Sequence, residues 1–402
     1  MIHWFSPGKR GLVVSAVILL LLTAVVLGGS SCGSPAFSSK TQTELTRTVE
    51  KAMRQYKIPG AVVGIWWKGK GQYVKAFGKA SLEKNGAAIQ TGDLFKIASL
   101  TKTFTATVIL QLVEEKKLSL DEKLSKFDWA AGLANADGIT VRMLLNHTSG
   151  YPDLENDDPA FQKIRFGDPT KVWTHKEILE WGRTLKPLAP PGQQYHYTNF
   201  GYYLLGMMIE SVTGKTAAEE IKMRCADKLD LQNTRLADMP EYLLSKPHSN
   251  GYVMRDQVPP GIVVPGTGAV VDATGWNTTA GWTSAGVDSK LDELRTWIEA
   301  VARGALLTPA MHDEQLKNPV PMTDNANTPK YGLGVAITKM PIGELRWHNG
   351  ATLGYSSFAG SLPDNSVTIV VLMNMMPAAE GEYTAATAIT APLMAIIQGN
   401  NP

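Results

Sequence analysis

Two side chains three residues apart carry the first chemical signal in this chain. Ser99 and Lys102 stand at the start of an apolar helical pattern that runs from Thr103 to Leu118. On a helix, positions i and i+3 share a face, so the serine hydroxyl and the lysine amine can meet. A hydroxyl is a poor nucleophile near neutral pH, but an amine held neutral by burial or by neighbouring positive charge can remove its proton. Ser99 is therefore the candidate nucleophile and Lys102 a candidate base. Taken alone, S-x-x-K is common, and a capping serine beside a solvated lysine explains most instances. The assignment needs support from elsewhere in the chain.

Two further stretches carry polar groups in places suited to chemistry. Tyr197 and Asn199 follow the rigid Pro187–Gly192 segment and precede an apolar helical run to about Val212. Loops of this kind present side chains to clefts. Tyr202 and Tyr203, inside the helical run, read as core. The third stretch, Arg346-Trp347-His348-Asn349-Gly350-Ala351-Thr352, reads as a strand on which Arg346, His348 and Gly350 share a face. A glycine there lets a substrate backbone approach closely and pair as an added strand. Cys225 lies in a helical pattern and reads as a buried small hydrophobe. None of the seven histidines stands in a zinc-ligand spacing such as H-E-x-x-H, and Gly266-Thr267-Gly268 lacks the later glycine and the helix of a phosphate loop. No metal and no cofactor is expected.

The elements that must position these residues follow from periodicity. Glu44–Tyr56 is an amphipathic helix, and Ala61–Trp67 and Gly71–Gly78 form a hairpin that leads into the Ser99 segment. From Leu120 the texture changes to short helices, Thr140–Leu145 and His175–Leu185 among them, separated by polar loops such as Pro152–Pro169. From Ala285 the alternation returns. A helix over Asp288–Val301 precedes strands at Tyr331–Ile337, Leu345–Asn349, Phe358–Leu362 and Val367–Met373, and a last helix over Thr384–Gln398 should be kinked or split at Pro392. The expected fold class is α/β (α+β): an antiparallel sheet flanked by helices and built from both chain ends, residues 44–120 and 285–400, with a mainly helical domain inserted at 121–284.

The composition sets outer limits on function. The chain has 402 residues, 44% hydrophobic and 19% charged, with a net charge of +2 spread over both signs. It can bury a large core, and no clustered basic stripe with interleaved aromatics calls for nucleic acid. Two cysteines, Cys32 and Cys225, make no disulfide framework. Residues 1–32 read as an export signal: Lys9 and Arg10, an apolar run from Leu12 to Leu27, then Gly28-Gly29-Ser30-Ser31 before Cys32. Small residues ending in one cysteine resemble a bacterial lipoprotein processing site with Cys32 as the lipidated residue; plain secretion and an uncleaved anchor are the alternatives. Residues 33–43 read as a flexible tether. The body is expected to lie outside the cytoplasm, membrane-anchored or secreted, and to work as a monomer.

Together, Ser99-Leu100-Thr101-Lys102, Tyr197-Thr198-Asn199 and His348-Asn349-Gly350 resemble the three-motif signature of the serine penicillin-recognising hydrolases. That group holds the class C β-lactamases and the D-alanyl-D-alanine carboxypeptidases. Leu144–Gly150, Tyr202–Gly206 and Ala285–Asp288 look like secondary signatures of the same group. The resemblance implies that Ser99 forms an acyl-enzyme and that the backbone N–H groups of Ser99 and Ala351 hold the oxyanion. It implies that Lys102 and a phenolate-capable Tyr197 share the general-base work, that Asn199 binds the substrate amide, and that His348, Asn349, Gly350 and Ala351 line the substrate. The pattern departs at Asn349 and Ala351, where carboxypeptidases and β-lactamases usually carry hydroxyl residues that help to hold a substrate carboxylate. Arg346 is a possible replacement donor or a solvated strand arginine. The expected activity is that of a D-alanyl-D-alanine carboxypeptidase or β-lactamase-like hydrolase acting on a small peptide, a β-lactam or an ester. A carboxylesterase on the same scaffold, or a catalytically weak wall- or penicillin-binding lipoprotein, is the alternative.

Overall fold

The computed structural model describes residues 36–237, 242–258, 268–323, 328–376 and 384–399. The leader, with Cys32, lies outside the described residues. The frame is one antiparallel sheet whose strands run across it in the order Gly71–Gly78, Gly60–Trp67, Val367–Met373, Tyr355–Ser361, Gly343–Thr352, Ala336–Met340, Lys330–Tyr331 and Val320–Pro321. All its strands come from the two ends of the chain. Val63 lies opposite Val371, and Gly350 opposite Ser357.

Alternation along the central strands sends side chains to both faces, and both faces are covered. Ala61, Val63 and Ile65 join Ile369, Val371 and Met373 beneath the helices Ser39–Gln55 and Thr384–Gly399. Val62 and Trp66 join Val370 and Leu372 on the other face, in the core that also holds Phe104, Tyr202 and Trp297. Burial on both faces accounts for the unbroken apolar stretches Ala61–Val63 and Ile369–Met373 in these strands. Segment 121–284 packs its helices, including Val141–Leu145, His175–Gly182 and Asn199–Thr213, against that second core. Among the described residues no helix is long and apolar enough to cross a membrane.

Two expectations are corrected. Part of the tether expected over 33–43 is structured: Phe37 is buried and its N–H donates to the Gln72 carbonyl. Ser38 then caps a helix that begins at Ser39, five residues before the expected start at Glu44, because its hydroxyl accepts from the Thr41 N–H. Pro392 lies inside Thr384–Gly399 without ending it. Ile389, Leu393 and Ile397 are buried on the sheet side, and that contact outweighs the one backbone hydrogen bond that proline forgoes.

Candidate active site

The nucleophile sits on a sharp turn. A short strand, Phe95–Lys96, pairs with Val287–Ser289, and the Ile97 N–H donates to the Val287 carbonyl. Ala98 then adopts φ of +50° and is fully buried, a left-handed conformation costly for a residue with a Cβ. The chain turns through Ala98–Leu100 into the helix Thr101–Glu114, leaving Ser99 partly exposed. Three hydroxyls fasten the helix: Thr101 Oγ1 accepts from the Val287 N–H, Thr103 Oγ1 accepts from Trp297 Nε1 and Thr105 Oγ1 donates to the Thr283 carbonyl. Phe104 stacks on Trp297 with ring centroids 3.6 Å apart. The Ala285–Asp288 signature therefore acts by propping the nucleophile turn.

Lys102 is fully buried beside Ser99. Its Nζ lies 3.2 Å from Ser99 Oγ, 2.6 Å from Asn199 Oδ1 and 3.1 Å from the Ser284 carbonyl oxygen. It also stands over the Tyr197 and Tyr202 rings, at 4.6 and 5.5 Å from their centroids. Burial pushes the amine well below the usual lysine range, against the opposing pull of Asp153 and Glu155. Two of the three contacts are carbonyl oxygens, which can only accept. A neutral amine has two N–H bonds and one lone pair, so satisfying both carbonyls directs the lone pair at Ser99 Oγ. In its neutral form Lys102 is therefore placed to accept a proton from Ser99.

Tyr197 occupies the position foreseen. Its phenol interacts with the Ser99 hydroxyl, yet burial, followed by Asp153, Tyr202 and Glu155, holds its pKa well above the ordinary tyrosine value. Desolvation and nearby negative charge favour the neutral phenol over the phenolate of which Tyr197 is capable. His147 supports it, ring centroids 4.3 Å apart. His147 Nδ1 accepts from the Thr198 N–H, and burial keeps the imidazole neutral. The Leu144–Gly150 signature braces this loop: the Gly192 N–H donates to the Thr148 carbonyl and the Leu188 N–H to the Gly150 carbonyl. Gly150 has φ of +80°, and a Cβ there would stand 2.1 Å from the Ala189 oxygen.

Asn199 opens the helix Asn199–Thr213 and does not lie in the loop before it. Its carboxamide is already engaged: Oδ1 accepts from Lys102 and Nδ2 donates to Asp153, at 3.0 Å to one carboxylate oxygen and 3.3 Å to the other. In this geometry it holds the lysine.

The Gly343–Thr352 strand completes the site. Gly350 lies against the nucleophile turn so closely that a Cβ would stand 2.3 Å from the Ile97 oxygen and 2.9 Å from the Ser99 nitrogen. Ser357, opposite Gly350, donates to the same Ile97 oxygen at 2.6 Å. This approach brings the Ser99 amide beside Gly350, and the next residue, Ala351, is exposed. His348 is 2% exposed; its Nδ1 lies 2.6 Å from the Asn349 carbonyl and its Nε2 lies 2.8 Å from the Tyr331 hydroxyl. Nδ1 therefore carries the hydrogen and Nε2 accepts, which leaves no ring N–H for a substrate. Burial, followed by the Lys102 charge, pushes the imidazole down to about 3, so it is neutral. Arg346 is neither solvated nor in the site: its guanidinium donates to the Ala302 carbonyl and lies 2.7 Å from His312 Nε2. Asn349 is partly buried. Cys225 is fully buried, and burial raises its thiol pKa, as expected of a core residue.

Sequence reasoning missed Asp153, the Ser284 carbonyl, His147 and Tyr331. Asp153 follows the Leu144–Gly150 signature by three residues, but one aspartate in a loop rich in aspartate carries no signal of its own.

The fold agrees with those of known proteins. A sequence model of the Beta-lactamase family matches residues 45–392. The chain is 28% identical over 316 residues to Penicillin-binding protein 4* of Bacillus subtilis, a match covering 75% of this chain and 65% of that relative, so it spans a little under two thirds of the relative's length. A D-stereospecific amidohydrolase from a Streptomyces species superposes with a TM-score of 0.74 at 27% identity, over 90% of this chain and 99% of that one. The D-amino acid amidase of Ochrobactrum anthropi SV3, complexed with D-phenylalanine, shares the fold at a TM-score of 0.77 and 23% identity, over 90% and 100% of the two chains. With a buried lysine amine aimed at a serine on this scaffold, and a family match over most of its length, the chain belongs to the β-lactamase family of serine hydrolases.

Proposed function

We propose that this protein hydrolyses amide or ester bonds of D-aminoacyl substrates through an acyl-enzyme on Ser99, outside the cytoplasm and tethered through Cys32. The observation that carries the chemistry is the Lys102 amine, with two carbonyl acceptors and Ser99 Oγ as its three polar neighbours. Ser99 Oγ bonds to the substrate carbonyl carbon as its proton passes to the Lys102 lone pair. The carbonyl π pair moves to oxygen, which the Ser99 and Ala351 N–H groups receive. When the C–N or C–O bond breaks, the leaving group takes a proton from the Tyr197 phenol, which the Lys102 ammonium replaces. Water then attacks the acyl carbon by the reverse proton path, freeing the acid and Ser99.

The substrate class follows from what the third strand lacks. Asn349 and Ala351 provide no hydroxyl, Arg346 is turned to Ala302, and both His348 nitrogens are occupied. That group offers a free terminal carboxylate no hydroxyl and no cation, only the Asn349 carboxamide, which favours a neutral leaving side, an amide or ester, over a carboxypeptidase substrate. The likeness to the Streptomyces amidohydrolase supports the D configuration.

The test is a panel of D- and L-amino acid amides, a short-chain ester, a D-Ala-D-Ala peptide and a fluorescent penicillin, given to the wild type and S99A. Turnover of D-amides or esters above the dipeptide, lost in S99A, is expected. Dipeptide cleavage as the dominant activity would reverse the substrate assignment, and full activity in S99A would remove the nucleophile.

A further inference from the structure

The Lys102 side chain does not end the hydrogen-bonded chain that begins at Ser99. Asn199 passes it on to Asp153, a carboxylate only 1% exposed. We propose that Asp153 is a positioning residue for Lys102, holding the Asn199 carboxamide in the one orientation that offers its oxygen, and not its NH2 group, to Nζ. The inference rests on the acyl-enzyme reading above for what the lysine does.

The argument is one of donors and acceptors. An asparagine side chain has an acceptor end and a donor end of nearly the same shape, and only its neighbours decide which way it lies. Between an amine and a neutral acceptor, both orientations could be satisfied in part. Between an amine and a carboxylate, only one can, because a carboxylate accepts and cannot donate. With Nδ2 drawn to Asp153, Oδ1 must face Lys102. With Oδ1 and the Ser284 carbonyl both accepting, the lone pair of neutral Lys102 is left for Ser99.

Asp153 is itself over-determined. Its carboxylate accepts from Asn156 Nδ2 at 2.6 Å and from the Glu155 N–H at 3.1 Å, and its own N–H donates to Asp157 Oδ2 at 2.7 Å. A buried carboxylate with this many donors keeps its place, and burial with the nearby Glu155 raises its pKa, so it is held at a cost.

Its charge also reaches the lysine. Lys102 is faced by Asp153 and Glu155 from the loop after Tyr151, by Tyr197 and Tyr202 around the start of Asn199–Thr213, by His147 after Val141–Leu145 and by His348 on the third strand. Both histidines are held neutral, Tyr197 and Tyr202 are held protonated, and Glu155 is paired with Arg165 at 2.5 Å. That leaves Asp153 as the acid bound to the lysine through a single intervening side chain. It opposes deprotonation of Lys102, so removing its charge must ease deprotonation.

The test uses D153N and D153A in the full chain, with fold checked by near-ultraviolet circular dichroism. Lys102 is titrated by NMR of [13Cε]lysine-labelled protein, its signal assigned by its absence from K102R. D153N is expected to lower the Lys102 midpoint by about one to two pH units, the effect of removing one charge across an effective dielectric near 20. With a p-nitrophenyl ester, the acid limb of kcat/KM should move down by the same amount. D153N offers Asn199 a donor as well as an acceptor, so both orientations can be satisfied in part and its plateau kcat should fall, by less than that of D153A. D153A frees the carboxamide to turn and should lose about tenfold to a hundredfold in kcat with little change in KM. A folded D153N whose Lys102 midpoint equals that of the wild type overturns the proposal, as does a folded D153A with wild-type kcat. D153N is isosteric with the native side chain and decides the matter if D153A does not fold. Wild-type protein without Ser99-dependent turnover would defeat the acyl-enzyme reading, while the NMR titration would still decide the role of Asp153.

Discussion

Replacing Gly350 by alanine tests how the third strand and the nucleophile turn depend on each other. An added Cβ would stand 2.3 Å from the Ile97 oxygen, 2.6 Å from Ser357 Oγ and 2.9 Å from the Ser99 nitrogen. Non-bonded carbon contacts settle near 3.5 Å, so the turn must retreat by about 1 Å to admit one methyl group. Two of the three obstacles are backbone atoms, and the third donates to Ile97, so no flexible side chain can absorb the strain. Overpacking of this kind costs about 1–3 kcal/mol of stability. The same retreat carries the Ser99 amide and hydroxyl off their positions relative to Lys102 and Ala351, and a displacement of about 1 Å costs about a hundredfold in rate. The assay is the single-turnover acylation rate with a p-nitrophenyl ester, beside a denaturant melt. Gly92→Ala is the control, since nothing stands within 4 Å of a Cβ there, and should stay within about 0.5 kcal/mol of wild type. A folded G350A that acylates within threefold of the wild type would refute the argument that this contact sets the nucleophile geometry.

Other outcomes follow from the same site. Lys102→Ala should reduce acylation by about 10²–10⁴-fold with the fold intact, read by burst kinetics; an unchanged burst would take the base role from Lys102. Because burial lowers the Lys102 pKa and the base must be neutral, kcat/KM should fall with decreasing pH through the lysine titration, and that limb should follow the Lys102 NMR midpoint. His348 has a folded pKa of about 3, below that of an unfolded histidine, so the unfolded chain binds the extra proton and stability falls as pH drops below about 6.5. Between pH 6.5 and 5 this amounts to about 2 kcal/mol, and H348Q should lose less stability over that interval by that amount. Identical slopes would mean His348 is not held neutral. Trp297→Ala removes the stacking partner of Phe104 and the donor to Thr103, and should cost about 3–5 kcal/mol in a denaturant melt.

Much of this architecture was legible in the order of residues. Ala61–Trp67 and Val367–Met373 were legible as strands, and the two lie side by side in the sheet. The structure brings Ser99, Lys102, Tyr197 and Asn199 together with the third strand. Roles were less legible than positions. Burial holds Tyr197 as a neutral phenol, Asn199 links Lys102 to Asp153, and Arg346 is tied to Ala302.

The sequence by itself determined which chemical groups are available and which elements carry them, because periodicity and turn chemistry are local and a hydroxyl three residues from an amine on a helix can meet it in any fold. Only the tertiary structure decided what those groups do. Lys102 meets Asn199 across 97 residues of sequence and the Ser284 carbonyl across 182. Burial, the largest cause of the pKa shifts at Lys102, Tyr197 and His348, is set by every element packed around a side chain, and no spacing along the chain records it.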